Sequence, residues 1–338
     1  MKKLVFIFYI LIFISPAAAL ETSIGKHALK LTGFGTIGSL TSNEVGYMPW
    51  DWRIRGQYNY AVATGQTLGA VYSLDQLSID YFQPARDAFL FFEDANIGRA
   101  EVGWTDSVVA KLSVGLPDVG GLRINDSALL GRFLRGGMPM ISRLGTVGTQ
   151  YAPRINIASI PTMAVQYGAS LSGISEYFDY AADIGLKWRQ SLGKTKYALS
   201  AGAGWIANPT GLQADIYTPA VNADWRGQAS IGFNLQYNSF IWGTAVRAIY
   251  DQNPAGPQSD GISAGTGVSY DFLEYTASLN YLISDIGVWH DGNNFLSQTM
   301  IASARYKYTE KLELWLSGGI TDYNTVEPFI SAGIKLSF

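Results

Sequence analysis

The sequence lacks cysteine and nearly lacks histidine, with His27 and His290 the only two among its 338 residues. Without cysteine the fold cannot depend on disulfides, and zinc–thiolate sites and cysteine nucleophiles are excluded. A Ser-His hydrolase would need a positioned partner for its histidine, but His290 stands in Trp289–Gly292, a stretch typical of a loop. We therefore predict that the protein is not an enzyme and uses no cofactor or metal.

The chain also has little charge and no long apolar segment beyond its N-terminus. Charged residues make up 15% of it, against ~25% in soluble domains. No later stretch reaches the roughly 18 consecutive apolar residues of a transmembrane helix. Glycine (37), tyrosine (20), phenylalanine (16) and tryptophan (9) are abundant instead. This composition favours a β-sheet with one lipid-facing side over a water-soluble core.

Residues 1–19 are predicted to be a secretory signal peptide. Lys2 and Lys3 precede an apolar run from Leu4 to Ile14, and Ala17–Ala19 supplies small residues for cleavage before Leu20. The alternative, a membrane anchor, would need a longer apolar run. Removing the segment changes the formal charge from 24 − 27 = −3 to 22 − 27 = −5. The exported chain therefore has no basic excess, and we expect no nucleic-acid partner.

Strict alternation is the main structural signal, and it is clearest in Trp225–Tyr237. Apolar or small residues occupy the odd-numbered positions and mostly polar residues the even-numbered ones, the period of a β-strand with two different faces. The apolar face begins with Trp and ends with Tyr, as expected of aromatic girdles at two membrane interfaces. The last stretch alternates in the same way. We expect its row from Ile330 to Phe338 to face lipid, Lys335 to face the lumen, and the strand to pair with 29–37, closing a barrel.

Sixteen strands are predicted along the chain, and the connections between them tend to alternate between long and short. An up-and-down membrane barrel has short turns on one rim and long loops on the other, whereas a β-sandwich gives no such alternation. The fold class predicted is therefore all-β, a 16-stranded antiparallel transmembrane β-barrel spanning 20–338. The strands are expected at 28–40, 51–63, 66–75, 86–95, 98–105, 146–153, 160–170, 177–190, 195–207, 224–238, 239–252, 260–272, 273–287, 296–309, 311–323 and 327–338.

One insertion, 106–145, is too long for either rim. It is rich in glycine and small apolar residues and carries mixed charge. A long irregular segment in a compact domain is usually functional, and a barrel of this width encloses an aqueous channel. We expect the insertion, which follows strand 5, to fold inward and constrict the lumen.

The strand pattern, the insertion after the fifth strand and the terminal Lys335–Phe338 together resemble the sixteen-stranded general porins of Gram-negative outer membranes, especially those of alphaproteobacteria. The opening strand Leu29–Gly35, the block Phe89–Trp104 and the strand at Gln150–Pro153 contribute to the resemblance, which covers nearly all of 20–338. It implies a homotrimer in the bacterial outer membrane, in contact with lipid and lipopolysaccharide. It also implies passive diffusion of small hydrophilic solutes through a pore narrowed by the third extracellular loop. In this family a terminal Phe is the signal for the barrel assembly machinery.

Charged residues on the predicted inner faces are the candidate pore-lining groups, because fixed charge in a narrow passage selects ions. Arg53 and Arg55 alternate inward on the second strand, where the resemblance implies an arginine cluster. The loop departs from the strongly acidic loops of well-known general porins, because bases outnumber acids in it. The remaining candidates are Arg99, Glu101, Arg226 and Arg247 on strands, and Asp118, Arg123, Asp126, Arg132 and Arg135 in the loop.

Each candidate has a structural alternative. An inward arginine can be a rim charge or can brace the barrel through an inward carboxylate such as Glu101. Asp118 and Asp126 stand in sequences that also suit turns. Because inward bases outnumber inward acids on the strands, we predict weak anion selectivity. Two other functions remain open: a solute-specific channel, for which Trp315 is the one large aromatic residue placed in the lumen, and a non-transporting structural or adhesin barrel.

Overall fold

The computed structural model describes residues 20–42, 46–48, 50–77, 83–117, 119, 152–174, 178–210, 223–252, 259–288, 293–323 and 325–338. These residues form one antiparallel sheet of 18 strands and a short helix, α1 (Val108–Leu112). The strands are β1 (Leu20–Ile24), β2 (His27–Ser42), β3 (Gly46–Tyr47), β4 (Trp50–Ala63), β5 (Gln66–Leu77), β6 (Gln83–Asp94), β7 (Gly98–Trp104), β8 (Arg154–Ala158), β9 (Val165–Ser172), β10 (Tyr180–Leu192), β11 (Thr195–Ala207), β12 (Trp225–Tyr237), β13 (Phe240–Gln252), β14 (Ser259–Phe272), β15 (Tyr275–Val288), β16 (Asn293–Lys307), β17 (Leu312–Tyr323) and β18 (Thr325–Ser337).

The sheet closes into a barrel because β18 pairs with β2. From β4 onward each strand pairs with the next one in the chain, and β2 also pairs with β4. The short strands β1 and β3 are additions alongside β2. Setting these two aside leaves sixteen strands in the ring (18 − 2), which confirms the predicted all-β barrel. No helix among the described residues is long and apolar enough to cross a membrane.

The last strand closes the barrel against β2 as predicted, but its partners are residues 33–42 rather than 29–37. Phe338 and Gly33 exchange two backbone hydrogen bonds, each 2.9 Å. Ile330 is 56% exposed while Ser331, on the other face, is 1% exposed, which confirms the orientation of the last strand. The Phe338 ring covers Gly33, where a Cβ would lie 2.8 Å from its Cε1 atom. A glycine covered by a neighbouring aromatic ring is a recurrent way of stabilising a sheet.

The N-terminal strand β1 is a feature that the sequence pattern did not predict. It folds back on β2 through a turn in which Gly25 has φ 62°, a left-handed conformation that glycine adopts without steric cost. It pairs with residues 27–31 of β2, whereas β18 pairs with 34–42. Together β1 and β18 cover one edge of β2, whose backbone N–H and C=O groups would otherwise be unpaired.

The sixth and seventh strands begin later in the chain than predicted. The sixth was expected at 146–153, but β8 is Arg154–Ala158; residues 152 and 153 precede the strand, and 146–151 lie outside the described residues. Pro153 has no N–H group to donate to a sheet and therefore stands before the strand. The seventh was expected from 160, but Pro161 lies in a turn and β9 begins at Val165. The connection between β7 and β8 is consequently 105–153, longer than the predicted 106–145.

The two rims differ in the length of their connections. One, here called the short-turn rim, has the links 64–65, 95–97, 193–194, 238–239, 273–274 and 308–311, together with the longer 159–164. The opposite rim has most of the long links, although a single residue separates β17 from β18. Aromatic pairs lie near both rims, among them Tyr180 with Trp205 and Tyr275 with Tyr306, with ring centroids 5.1 and 4.8 Å apart. This arrangement matches the interfacial girdles of membrane barrels.

Candidate functional site

The lumen face of each strand follows from the exposure of its side chains. On β12, Arg226, Gln228 and Ser230 are 2%, 8% and 8% exposed, whereas Ile231 on the outer face is 60% exposed. Large apolar residues are exposed outward on the other strands as well. The inner face is therefore mostly polar and the outer face apolar, as the alternation predicts for a barrel in lipid.

The described part of the inserted loop, residues 105–117, lies inside the barrel. Ser107 caps α1 by accepting a hydrogen bond from the Ala110 amide. The Val108 amide donates to Ser170 Oγ on β9 (2.7 Å), and the Val109 amide to Asp183 Oδ1 on β10 (3.4 Å). The free amides at the start of this helix are thus satisfied by the barrel wall.

Beyond the helix, the same segment continues around the inner wall. The Val114 amide donates to Ser200 Oγ on β11 at 2.9 Å. Asn234 on β12 donates to the Gly115 carbonyl at 3.5 Å, and Asn280 on β15 to the Pro117 carbonyl at 3.2 Å. Residues 108–117 therefore follow the wall from β9 to β15. Side chains from five strands, β9, β10, β11, β12 and β15, hold them there.

A row of glycines makes room for this segment. A Cβ on Gly168 would lie 2.6 Å from Val108 Cγ1, and one on Gly243 would lie 2.5 Å from the Gly115 carbonyl oxygen. Both distances are too short for real atoms, so the loop backbone lies where side chains would otherwise project. The glycines of this row stand on successive strands from β9 to β13, and we call them the glycine groove: Gly168, Gly185, Gly202, Gly232 and Gly243.

The far end of the segment is held by an apolar cluster. Leu116 packs in the lumen in a buried cluster with residues from strands on both sides of the seam. The Trp315 ring lies against Gly38, where a Cβ would be 2.9 Å from the ring. Trp315 therefore faces the lumen, as predicted, but it is 6% exposed and packed against the wall. The cluster is Leu40, Leu116, Ala245, Leu282, Ile301, Trp315 and Phe329.

Glu101 connects the near end of the loop to the wall. Its carboxylate accepts from Arg99 Nε at 2.9 Å, Asn156 Nδ2 at 3.0 Å and Thr105 Oγ1 at 3.2 Å, and it also binds Lys111 Nζ. Burial lowers the pKa of Lys111, an effect opposed by the Glu101 carboxylate. Arg99 also pairs with Glu93 at 3.0 Å. For Arg99 and Glu101 the structure supports the bracing alternative.

Arg226 and Arg247 face inward but are 2% and 5% exposed. Arg226 makes two hydrogen bonds to Asp251, at 2.5 and 2.7 Å, a forked geometry that suits arginine and carboxylate. Arg247 donates to Gln228 at 3.1 Å. These arginines belong to the wall itself.

Arg53 and Arg55 lie on the lumen face of β4, partly exposed. Arg55 is 3.5 Å from the Asp87 carboxylate. The Arg53 guanidinium and the Lys335 ammonium lie 5.9 and 5.4 Å from the centroid of the Phe34 ring. A basic patch therefore lies beside the seam. The loop candidates Asp118, Arg123, Asp126, Arg132 and Arg135 lie outside the described residues.

Some lumen residues that hold the loop are uncharged, so a search of the sequence for inward charges does not find them. The groove glycines and the hydroxyl and amide groups that bind the loop appear in the sequence as ordinary polar-face residues of separate strands. Their alignment depends on the register between strands. Among the described residues, other aromatic side chains besides Trp315 also face the lumen, and they include Phe34, Phe89, Phe91 and Phe329.

Comparison with solved structures places this architecture among the porins. OmpT of Vibrio cholerae, in its trimer form, has a TM-score of 0.67 at 10% identity, covering 93% of this chain and all of that one. OmpF of Salmonella typhi gives 0.65 at 11%, covering 94% and 100%. The anion-selective porin of Comamonas acidovorans gives 0.61 at 10%, covering 92% and 100%. No family model matches the chain, and no curated protein matches it in sequence. The chain therefore has the sixteen-stranded porin fold.

Proposed function

We propose that this protein is an outer-membrane porin, a channel for passive diffusion of small hydrophilic solutes and ions. The observation that carries the proposal is the path of residues 108–117, which follow the inner wall from β9 to β15. A segment fixed along the wall narrows an aqueous lumen from one side. A barrel of sixteen strands is wide enough for such a channel.

The proposed location is the bacterial outer membrane, reached by export with residues 1–19 as a cleaved signal. The proposed assembly is a homotrimer surrounded by lipid and lipopolysaccharide. Phe338 is proposed to be recognised by the barrel assembly machinery, and its two backbone bonds to Gly33 at the seam are consistent with a role in closure. A deletion of Phe338 is expected to impair assembly more than conductance.

We further propose weak anion selectivity. Among lumen-facing strand residues whose side chains the structure describes, bases outnumber acids, and this positive excess attracts anions within a Debye length. The bases are Lys30, Arg53, Arg55, Arg99, Arg154, Lys187, Arg189, Lys196, Arg226, Arg247, Arg305, Lys307 and Lys335, and the acids are Glu21, Asp87, Glu93, Glu101, Asp183, Asp251, Asp271, Glu313 and Glu327.

The alternatives receive less support. A solute-specific channel needs accessible aromatic rings, but Phe89, Phe91, Trp315 and Phe329 are only 3–6% exposed. The half-buried ring of Phe34 is flanked by Arg53 and Lys335. An adhesin or structural barrel predicts a filled lumen, whereas residues 108–117 follow the wall. We propose a non-enzymatic role, in line with the porins that share this fold.

Reconstitution into planar bilayers tests the proposal. Purified trimers are expected to give stepwise, ohmic conductance in triplets, with a reversal potential in a salt gradient on the anion-selective side. Liposome swelling with small neutral sugars should show uptake. Folded protein that gives silent bilayers and no swelling would contradict the channel, and clear cation preference would contradict the selectivity.

A further inference from the structure

A second feature of the lumen lies between the loop and the short-turn rim. A cavity of about 500 Å³ opens there, and Arg189 on β10, Lys196 on β11 and Asn234 and Gln236 on β12 contribute to its lining. Asn234 also donates to the Gly115 carbonyl of the loop. The cavity therefore lies next to residues 108–117, between this segment and the short-turn rim.

The turn at 161–164 forms the other side of this cavity. The Arg189 amide donates to the Ala164 carbonyl at 2.7 Å, and both Arg189 and Gln166 donate side-chain hydrogen bonds to the Pro161 carbonyl. One of the five guanidinium donors of Arg189 is thus used to hold its orientation. An oriented guanidinium presents a fixed fork to an oxyanion.

The register of the sheet brings together two bases that line the cavity, Arg189 and Lys196, and a third base, Lys187, that lies beside it. Arg189 pairs across the sheet with Ala198, so Lys196 is its diagonal neighbour on β11, about 7 Å away. Lys187 is two residues from Arg189 on the same face of β10, also about 7 Å away. Ala198, between them, is too small to fill the space. Among the described residues that line the cavity, none is acidic.

Like charges this close repel one another and cost stability unless an anion neutralises them. In the described part of the chain, none of the three bases is within 4.0 Å of a carboxylate, unlike Arg99 or Arg226 on the same barrel. The side-chain amides of Asn234 and Gln236 and the hydroxyl of Thr162 add neutral donors that suit phosphate oxygens. The grouping is therefore complementary to a small anion that carries more than one negative charge.

We propose that Lys187, Arg189 and Lys196 form a binding subsite for small phosphate-type polyanions at the short-turn mouth of the channel. The subsite lies directly beyond the constriction and holds such solutes as they pass. This inference rests on the proposed channel for its role, but binding itself does not require conduction.

Two measurements test the subsite with pyrophosphate as the probe. The first is isothermal titration calorimetry on the purified trimer in detergent at low salt. Binding is expected for the wild type, and the apparent dissociation constant is expected to rise about tenfold in Lys196→Gln, because one charge-assisted contact is lost. The second is block of single-channel chloride current, which pyrophosphate should produce at lower concentration from the short-turn side.

Matched variants separate the subsite from general electrostatics. Lys307→Gln removes a lumen-facing base from the same rim on β16, away from the cavity, and should leave pyrophosphate affinity unchanged. Arg189→Gln should weaken binding and Arg189→Lys should restore part of it. The subsite is overturned if the wild type binds no pyrophosphate, or if Lys307→Gln weakens binding as much as Lys196→Gln does. Binding without any conductance would contradict the channel and leave the subsite standing.

Discussion

Two parts of the lumen wall are built from different kinds of residue. The loop wall, β9–β15, presents glycine, serine and asparagine to residues 108–117. The seam wall, β16–β18 with β2 and β4, presents basic residues such as Arg53 and Lys335 and the flat ring of Trp315. The loop wall receives a segment of the chain's own backbone and buries its bases Arg226 and Arg247, while its exposed bases Arg189 and Lys196 lie near the short-turn rim. We therefore propose that the buried pairs of the loop wall matter more for stability and that partly exposed bases such as Arg53 on the seam wall matter more for ion selectivity.

The largest effect is expected from Arg226→Gln on the loop wall. Arg226 and Asp251 are 3% and 0% exposed, and removing one partner of a buried pair costs about 3–5 kcal/mol. The equivalent change on the other wall, Arg305→Gln, breaks a 3.8 Å contact to Glu313 whose partners are 33% and 20% exposed, and should cost below about 1 kcal/mol. Heat-modifiable gel mobility and thermal unfolding in detergent compare the two variants. Equal losses would contradict the distinction between the walls.

Glu101→Gln should release the near end of the loop. The variant loses the charge that binds Lys111 and Arg99 and should cost about 1.5–3 kcal/mol. Open-channel current noise and protease cleavage within 105–117 should both increase. Glu313→Gln removes a lumen-facing carboxylate of the seam wall and serves as the control. A loop that is equally protected in both variants would argue against Glu101 as its anchor.

Gly232→Ala should disturb the groove itself. Its added methyl would collide with the Val114 carbonyl, whereas Gly35 has open space around the same position. Overpacking of this kind costs about 1–3 kcal/mol and should push the loop toward the lumen axis, lowering conductance. Gly35→Ala makes the same chemical change without a collision. Unchanged conductance and melting temperature in Gly232→Ala would mean that the loop does not occupy the groove.

The smallest effect on stability, and the clearest on selectivity, is expected from Arg53→Gln. Removing this partly exposed base from the seam wall should shift the reversal potential toward cations while the free energy of unfolding changes by about 1 kcal/mol or less. Arg247→Gln removes the same charge from a buried position on the loop wall. It should leave the reversal potential closer to the wild-type value. The opposite ranking would place the selective charge on the loop wall.

Much of this fold was predictable because alternation is a local property of each strand. Fifteen of the sixteen predicted strands overlap the observed ones, and the seam between Phe338 and β2 followed from closure. The exception is the strand expected at 146–153, because Pro153 precedes β8, and the strand expected from 160 begins only at Val165, because Pro161 lies in a turn. The hairpin of β1 has no strong alternating pattern to mark it.

The site was less predictable, because its properties arise between strands. The polar face of β12 placed Arg226 inward, but only the cross-strand partner Asp251 shows that it braces the wall. The groove exists because Gly185 stands opposite Gly168 and Gly202 in the sheet register. No single strand contains that information. Arg53 lies on the lumen face that the alternation of β4 predicted, and its role in ion selectivity stays a prediction.

Engineered cysteines test the central claim most directly, that residues 108–117 are fixed in the glycine groove of a conducting barrel. The chain has no cysteine of its own, so Val109→Cys with Gly202→Cys supplies a single pair. The Val109 side chain contacts the position of a Cβ on Gly202, within the reach of a disulfide. We predict that mild oxidation cross-links the pair and that conductance steps persist in bilayers. Failure to cross-link in folded trimers, or loss of conductance on cross-linking that reduction restores, would contradict the account.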